Sequence, residues 1–155
     1  MLILADDMGW NDVSTNGGGA GNGTVRTPNI DSIAREGVNF TWGYAANATC
    51  APSRAAILSG RYGTRFGFEF TPTPAAMLPA MAIVMSADST PRRPGIANFD
   101  ARSIPTAEMG MPSSEISLAV TLKKAGYHTV HIGKWHVGVA NGMAANDQGF
   151  DESLN

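Results

Sequence analysis

The chain has 155 residues, enough for one domain with a sizeable core, and a net charge of −2 without any basic cluster. This charge balance gives no indication of a nucleic acid partner, and the single cysteine excludes a framework of internal disulfides. No run of about 18 apolar residues occurs, so no membrane span is predicted. The opening stretch MLILADDMGW lacks the basic leader of a signal peptide, and its apolar run stops at Asp6.

Strand-like runs and helix-start signals alternate along most of the chain. Pro28 and Pro52 each suit the first turn of a helix, and a glycine follows each helical stretch as a stop signal. Residues 38–45 carry the β-branched and aromatic side chains typical of a strand. The predicted elements, in chain order, are a buried strand over residues 1–5, a helix over 27–37, a strand over 38–45, a helix over 52–60, a helix over 113–126 and a strand over 127–133.

Residues 67–113 differ from the rest, because they are rich in Pro, Met, Ala and Ser and show no clear period. We predict a long loop or insertion there, with one short helix near residues 75–85. The order of the other elements predicts an α/β domain with a mostly parallel sheet flanked by helices. Ligands gather at the carboxyl ends of the strands in such sheets.

Charged side chains follow two of the predicted strands. Asp6 and Asp7 are adjacent carboxylates that repel each other unless a hard cation such as Ca²⁺ or Mg²⁺ neutralises them; an exposed acidic turn is the alternative. Lys134 and His136 lie two residues apart, and such residues point to the same side of an extended segment. Together they would suit a tetrahedral oxyanion, whereas the alternative is a solvated lysine beside a packed histidine.

Cys50 lies just before the predicted helix start at Pro52, where free backbone N–H groups favour an anion or an activated nucleophile. Arg54, in the first turn, would add a positive charge beside residue 50. A buried structural role is the commoner one for a lone cysteine, and the local pattern leaves both interpretations open.

The stretch CAPSRAAILSGR is similar to the signature of the type I sulfatases, C-x-P-S-R followed by S-G-R. Four further blocks resemble that family in the family's order: LILADDMGW, TPNIDSIAREGVNFTWGYA, LKKAGYHTVHIGKWHVG and GFDES. They extend from Leu2 to Asp151 and leave only residues 67–113 without a counterpart. The resemblance implies an alkaline phosphatase-like fold, with residues 1–155 as the N-terminal portion of a sulfatase catalytic domain.

The resemblance also implies that Cys50 is a precursor. In that family a formylglycine-generating enzyme converts the motif cysteine to formylglycine, an aldehyde that hydrates to a geminal diol. One hydroxyl of the diol attacks sulfur and displaces the alcohol, and the other then expels sulfate as the aldehyde re-forms. A serine could form the same covalent ester but could not eliminate it in this way.

Further site residues are implied by the same resemblance. Asp6 and Asp7 resemble the metal-binding acids of the family, which usually hold Ca²⁺, and the ion would also take an oxygen from residue 50. The other implied roles are stabilisation of the hydrate by Arg54, sulfate binding by Lys134, and hydrogen bonding to the hydrate with help in the elimination step by His136.

The implied activity is hydrolysis of a sulfate ester, such as a sulfated carbohydrate or an aryl sulfate. Phosphonate and phosphate ester hydrolases share the cysteine motif and form an alternative, although GKWHVG favours the sulfatase branch. An inactive truncated fragment is a third hypothesis, because the family's later metal ligands have no match in these 155 residues. Many family members are exported, so we expect a parent protein that is periplasmic, extracellular or lysosomal.

Overall fold

The computed structural model describes residues 1–72 and 109–154, which belong to two compact units, Met1–Ala45 and Ala46–Asn155. The short helix predicted near residues 75–85, and most of the loop predicted over 67–113, lie outside the described residues. Among the residues that are described, no helix has the length and apolar character needed to cross a membrane.

Unit 1, residues 1–45, is built from short helical elements. Its elements are a 3₁₀ turn at Trp10–Asp12 and the helices α1 (Ser14–Gly17), α2 (Ala20–Gly23) and α3 (Pro28–Glu36).

Helix α3 confirms the helix predicted over residues 27–37. Pro28 is its first residue, and the Gly37 N–H closes it by donating to Ile33 O at 2.9 Å. The Thr27 hydroxyl donates to Asp31 Oδ1 at 2.9 Å, and its oxygen accepts from the Ser14 N–H at 2.9 Å. Thr27 therefore links α3 to α1.

The two strands predicted in unit 1 are wrong. Residues 1–5 and 38–45 have no strand assignment, and their side chains are exposed, with Ile3 73% and Phe40 78% accessible. A strand forms only where its N–H and C=O groups find a partner backbone, and no strand occurs within residues 1–45 to supply one. Apolar content alone therefore gave the wrong assignment there.

Unit 2 combines helices with a parallel sheet, which confirms the predicted α/β class. The two strands pair in parallel, with Val130 opposite Glu152 and Ile132 opposite Leu154. The second strand was not predicted. The elements of unit 2 are α4 (Cys50–Ser59), a 3₁₀ turn at Gly63–Arg65, α5 (Leu118–Lys124), β1 (Val130–Ile132) and β2 (Glu152–Leu154).

Helix α4 begins two residues earlier than predicted. Its first residue is Cys50 rather than Pro52, with Thr49 as the extended residue before it. The predicted stop is confirmed, because Gly60 has a left-handed φ of 68° and its N–H donates to Ala56 O at 2.9 Å. Cys50 is thus part of the first helical turn.

Helix α5 is shorter than the predicted 113–126 helix. It starts after Ser117, whose Oγ accepts from the Val120 N–H at 3.1 Å, as expected of a serine before a helix. The same Oγ donates to Gln148 O, which ties the start of α5 to the chain just before β2. The described core of unit 2 contains Ala51, Ala55, Phe68, Met111, Trp135, Val137 and Ala145.

Asp151, at the entry to β2, lies in a charged network. Its carboxylate faces Lys123 Nζ at 2.5 Å and accepts from the N–H and hydroxyl of Thr129, each at 2.9 Å. His128 Nδ1 lies 3.6 Å from the same carboxylate. Hydrogen bonds lower the pKa of Asp151 well below its ordinary value of 3.8. The bond from Lys123 makes the largest contribution, and the bonds from Thr129 make the next largest.

We expect Asp151→Asn to lower Tm at neutral pH, because the neutral amide cannot form the ion pair with Lys123, although its oxygen can still accept the two Thr129 bonds that share Oδ2. A carboxyl whose pKa is depressed on folding stabilises the fold above its unfolded pKa and loses this effect as the pH falls. The Tm difference between the two proteins should therefore shrink below about pH 4. Thermal unfolding from pH 7 to pH 3 measures it, with exposed Asp147→Asn as the matched control. An equal fall in Tm for both variants, or a fall in Tm that does not change with pH, would contradict the stabilising role of the Asp151 carboxylate.

Candidate functional site

The two candidate metal-binding acids lie in unit 1. Asp6 and Asp7 are both exposed, at a bend before the Trp10–Asp12 turn. Asp7 has a φ of 55°, a left-handed backbone conformation that costs a non-glycine residue about 1–2 kcal/mol. Such outliers concentrate at functional sites. Two carboxylates offer the oxygen donors that a hard cation prefers, so this pair fits a share of a Ca²⁺ coordination sphere.

Helix α4 of unit 2 presents Cys50 and Arg54 on one face, since residues four apart on a helix lie one above the other. Both side chains are half-buried. The neighbouring face packs into the core through Ala51 and Ala55, both fully buried. These small buried residues fix α4 against the unit while its polar face stays partly open.

One hydrogen bond joins this helix to the segment that follows β1. Arg54 Nη1 donates to the Lys134 carbonyl oxygen at 2.6 Å, across 80 positions of the sequence. A bond from a guanidinium is charge-assisted and is shorter and stronger than one between neutral groups. The structure thereby brings two of the predicted site residues together.

The segment after β1 is fixed by the buried side chain of Trp135. Trp135 Nε1 donates to Gly138 O at 2.8 Å and to Met143 O at 2.9 Å. Its ring meets Phe150 edge to face, with a centroid distance of 5.8 Å. Lys134, on one side of this anchor, is exposed, and His136, on the other side, is half-buried.

The extended geometry expected for Lys134 and His136 is wrong. Strand β1 ends at Ile132, Gly133 has a φ of 96°, and His136 has a left-handed φ of 59°. The two-residue alternation of a strand therefore does not govern where the two side chains point. Their placement follows instead from the Trp135 anchor and the bond from Arg54.

The other two histidines, His128 and His131, contact residues of the sheet and the core. His131 lies in β1 and stacks edge to face with Trp135 and Phe150, at centroid distances of 5.1 and 5.5 Å. His128 precedes the strand, and its Nε2 lies 2.8 Å from Glu152 Oε1. Both contacts tie β1 to the chain around β2.

Ser53 and Asn47 are bonded to each other on either side of residue 50 and were not predicted as site residues. Ser53 Oγ donates to Asn47 O at 2.6 Å and accepts from the Asn47 N–H at 3.1 Å. The sequence could have indicated these bonds, because Asn and Ser favour hydrogen bonds from side chain to backbone around turns. The residues between them include Cys50.

Unit 1 also contains a cavity of about 560 Å³ that the sequence did not indicate. Asn16 on its wall is oriented by Asn39, whose Nδ2 donates to Asn16 Oδ1 at 3.1 Å. The cavity is lined by Met8, Gly9, Trp10, Val13, Asn16, Thr41, Gly43, Tyr44 and Ala45.

Sequence comparisons identify relatives along the whole chain. A family model described as Sulfatase matches residues 1–155. Steryl-sulfatase of Mus musculus is 41% identical over 140 residues, which is 90% of this chain and 18% of the relative. N-acetylgalactosamine-6-sulfatase of Mus musculus is 37% identical over 155 residues, covering 98% and 24% of the two chains. Arylsulfatase G of Homo sapiens is 36% identical over 151 residues, covering 97% and 22%.

Solved structures show the same similarity. The crystal structure of Ps i-CgsB matches with a TM-score of 0.68 and 30% identity, over 97% of this chain and 26% of that one. The PsFucS1 sulfatase from Pseudoalteromonas sp. matches with a TM-score of 0.63 and 33% identity, over 97% and 24%. Ps i-CgsB in complex with k-i-k-neocarrahexaose matches with a TM-score of 0.66 and 28% identity, over 97% of this chain and 26% of that one. The chain thus spans 18–24% of the length of the three curated relatives.

Proposed function

The chain belongs to the sulfatase family, and we propose that this protein is a sulfuric ester hydrolase acting on a sulfated carbohydrate or an aryl sulfate. The observation that carries the proposal is the 2.6 Å bond from Arg54 to the Lys134 carbonyl. It joins the CAPSR helix to the GKWHVG segment, the two blocks in which the proposed catalytic residues lie. The names of the relatives, and a neighbour's complex with k-i-k-neocarrahexaose, support a sulfated carbohydrate as substrate.

Residue 50 is the proposed nucleophile. Cys50 is half-buried at the first residue of α4, so its side chain is partly accessible. Converted to formylglycine by a formylglycine-generating enzyme, and hydrated, residue 50 would supply one hydroxyl to attack sulfur and a second to release sulfate. Mass spectrometry of the peptide containing residue 50 distinguishes the aldehyde from the thiol.

Three cationic or protonatable side chains complete the proposed anion site. The Arg54 guanidinium holds positive charge on the face of α4 that carries residue 50. Lys134 offers an exposed ammonium to the sulfate oxygens, a role that suits a compact and strongly hydrated charge. His136 would hydrogen-bond the hydrate and assist the elimination step by accepting the proton of its second hydroxyl, because an imidazole changes charge near neutral pH.

We assign Asp6 and Asp7 to a divalent cation, with Ca²⁺ preferred over Mg²⁺. Ca²⁺ accepts irregular sets of oxygen ligands, whereas Mg²⁺ demands near-octahedral geometry. When bound, the ion would act as a Lewis acid that polarises a sulfate oxygen.

A comparison of matched sulfate, phosphonate and phosphate esters tests the activity. With residue 50 confirmed as formylglycine and Ca²⁺ present, we expect kcat/KM for the sulfate ester to exceed the others by about 10²-fold or more. Chelation of divalent ions should abolish the turnover. Faster hydrolysis of the phosphonate ester would instead support the related hydrolase activity, and no turnover of any ester would support an inactive protein.

We also propose that the protein works outside the cytoplasm, as expected from its family. Cell fractionation with an antibody to the chain tests this, and recovery in the cytoplasmic fraction alone would contradict it.

A further inference from the structure

One hydroxyl holds both backbone polar groups of a residue that precedes the proposed nucleophile. Ser53 Oγ donates its proton to Asn47 O at 2.6 Å and accepts from the Asn47 N–H at 3.1 Å. Both bonds are partly buried, so water competes weakly for them. We call these two bonds the Asn47–Ser53 clasp.

The Asn47 side chain fixes the rest of the same turn. Its Oδ1 accepts from the N–H and the hydroxyl of Thr49, each at 3.0 Å, which is the geometry of an Asx turn. Its Nδ2 donates to Glu69 O at 3.4 Å and so ties the turn to the chain after the 3₁₀ turn. Thr49 O in turn accepts from the Ser53 N–H at 3.3 Å.

Cys50 therefore lies inside a closed set of hydrogen bonds that runs from Asn47 through Thr49 to Ser53. A nucleophile reacts efficiently only when its surroundings hold it in a near-attack geometry, and a displacement of about 1 Å can cost 10²-fold in rate. Supporting hydrogen bonds of this kind provide that precision. A merely structural role for Ser53, as a stabiliser of α4, is the alternative to be separated by experiment.

We propose that Ser53 is a positioning residue that fixes the backbone at residue 50 through the Asn47–Ser53 clasp. Ser53 does not react itself, and its effect passes through Asn47 and the turn. The inference deepens the proposed function and rests on it for the catalytic consequence. The restraint on residue 50 is independent of any activity and can be measured separately.

The chain offers a matched control at the other end of α4. Ser59 Oγ donates to Ala55 O at 2.7 Å and to Arg61 O at 3.3 Å, and it accepts from the Arg61 N–H at 3.2 Å, so it also bonds to backbone carbonyl and N–H groups. Loss of either hydroxyl removes the same kinds of bond from the same helix. Only loss of the Ser53 hydroxyl should release residue 50.

The first readout is the alkylation rate of unconverted Cys50 by iodoacetamide, which is unambiguous because the chain has one cysteine. We expect Ser53→Ala to raise this rate about tenfold, as loss of a partly buried hydrogen bond frees the turn. Ser59→Ala should leave the alkylation rate at the wild-type value. Ser53→Thr, which keeps a hydroxyl, should also react at the wild-type rate. Equal rates in the wild type and Ser53→Ala would overturn the proposal even if both variants lose stability.

The second readout is kcat for a sulfate ester, expressed per formylglycine measured by mass spectrometry. Ser53→Ala should lower kcat by about 10- to 10²-fold with little change in KM, whereas Ser59→Ala should not. Equal kcat values with unequal alkylation rates would overturn the catalytic part of the proposal. Absence of sulfate ester turnover in the wild type would refute the proposed function, while the alkylation rates would still decide whether the clasp restrains residue 50.

Discussion

Replacing Cys50 with alanine is expected to lower kcat/KM for a sulfate ester by on the order of 10⁴-fold or more, because no group remains to form a covalent intermediate. The side chain is half-buried at the start of α4, so its loss should change stability little. Steady-state hydrolysis by the fully converted wild type and the variant measures the effect, once equal Tm values show that both proteins are folded.

The serine variant separates the two halves of the proposed reaction. Cys50→Ser keeps one hydroxyl for attack on sulfur but lacks the second that releases sulfate. We expect it to liberate one equivalent of alcohol per active site and then stop, with the sulfo group retained on the introduced serine as detected by mass spectrometry. Sustained turnover by Cys50→Ser, or wild-type activity in Cys50→Ala, would exclude residue 50 as the source of the nucleophile.

Arg54→Ala should have the second large effect, lowering kcat/KM by about 10²- to 10³-fold. The substitution removes a positive charge from the face of α4 that carries residue 50. It also removes the bond to the Lys134 carbonyl that holds the following segment in place. Arg54→Lys should recover little of this loss, because one ammonium lacks the fork of donors that a guanidinium offers.

The controls for Arg54 must separate catalysis from conversion, since the proposed conversion of residue 50 would take place in the same CAPSR motif. Activity is therefore expressed per formylglycine present. Arg65→Ala removes an exposed arginine of the same unit and should leave kcat/KM within about twofold of the wild type. An equal effect of both substitutions would show that general charge, and not the position of Arg54, matters.

Some helix boundaries were predictable because they depend on local signals. Pro28 at the start of α3 and Gly60 after α4 act through their own backbone preferences and nearest hydrogen bonds. The starts of α4 at Cys50 and of α5 at Leu118 differ from the predicted ones. The family blocks supplied the fold class, and the similarity to solved sulfatases confirms the alkaline phosphatase-like assignment.

Strand pairing was less predictable, because it depends on residues distant in the sequence. The apolar residues 1–5 have the composition of a strand but no partner within unit 1. Conversely, β2 is a three-residue strand that begins with a charged residue and was not recognised, yet it pairs in register with β1. The composition of a segment gives its tendency to form a strand, and the presence of a partner strand decides whether it does so.

The identity of the candidate site residues came from motifs, whereas their geometry did not. The bond between Arg54 and Lys134 crosses 80 positions, and no local pattern encodes it. The left-handed backbone at His136 also has no sequence signal of its own, since histidine only tolerates that conformation. The roles assigned to these residues stay predictions for the experiments above.

The connection between β1 and β2 has a consequence for how the site is made. Parallel strands require a crossover, which is usually an α-helix. Here residues 133–151 cross without one, and this stretch contains both Lys134 and His136 together with their Trp135 anchor. The same stretch supplies the buried side chains of Trp135, Val137, Met143 and Ala145. Lys134 and His136 therefore stand on a connection that is itself part of the packed interior, and insertions here should be tolerated far less than in an ordinary surface loop.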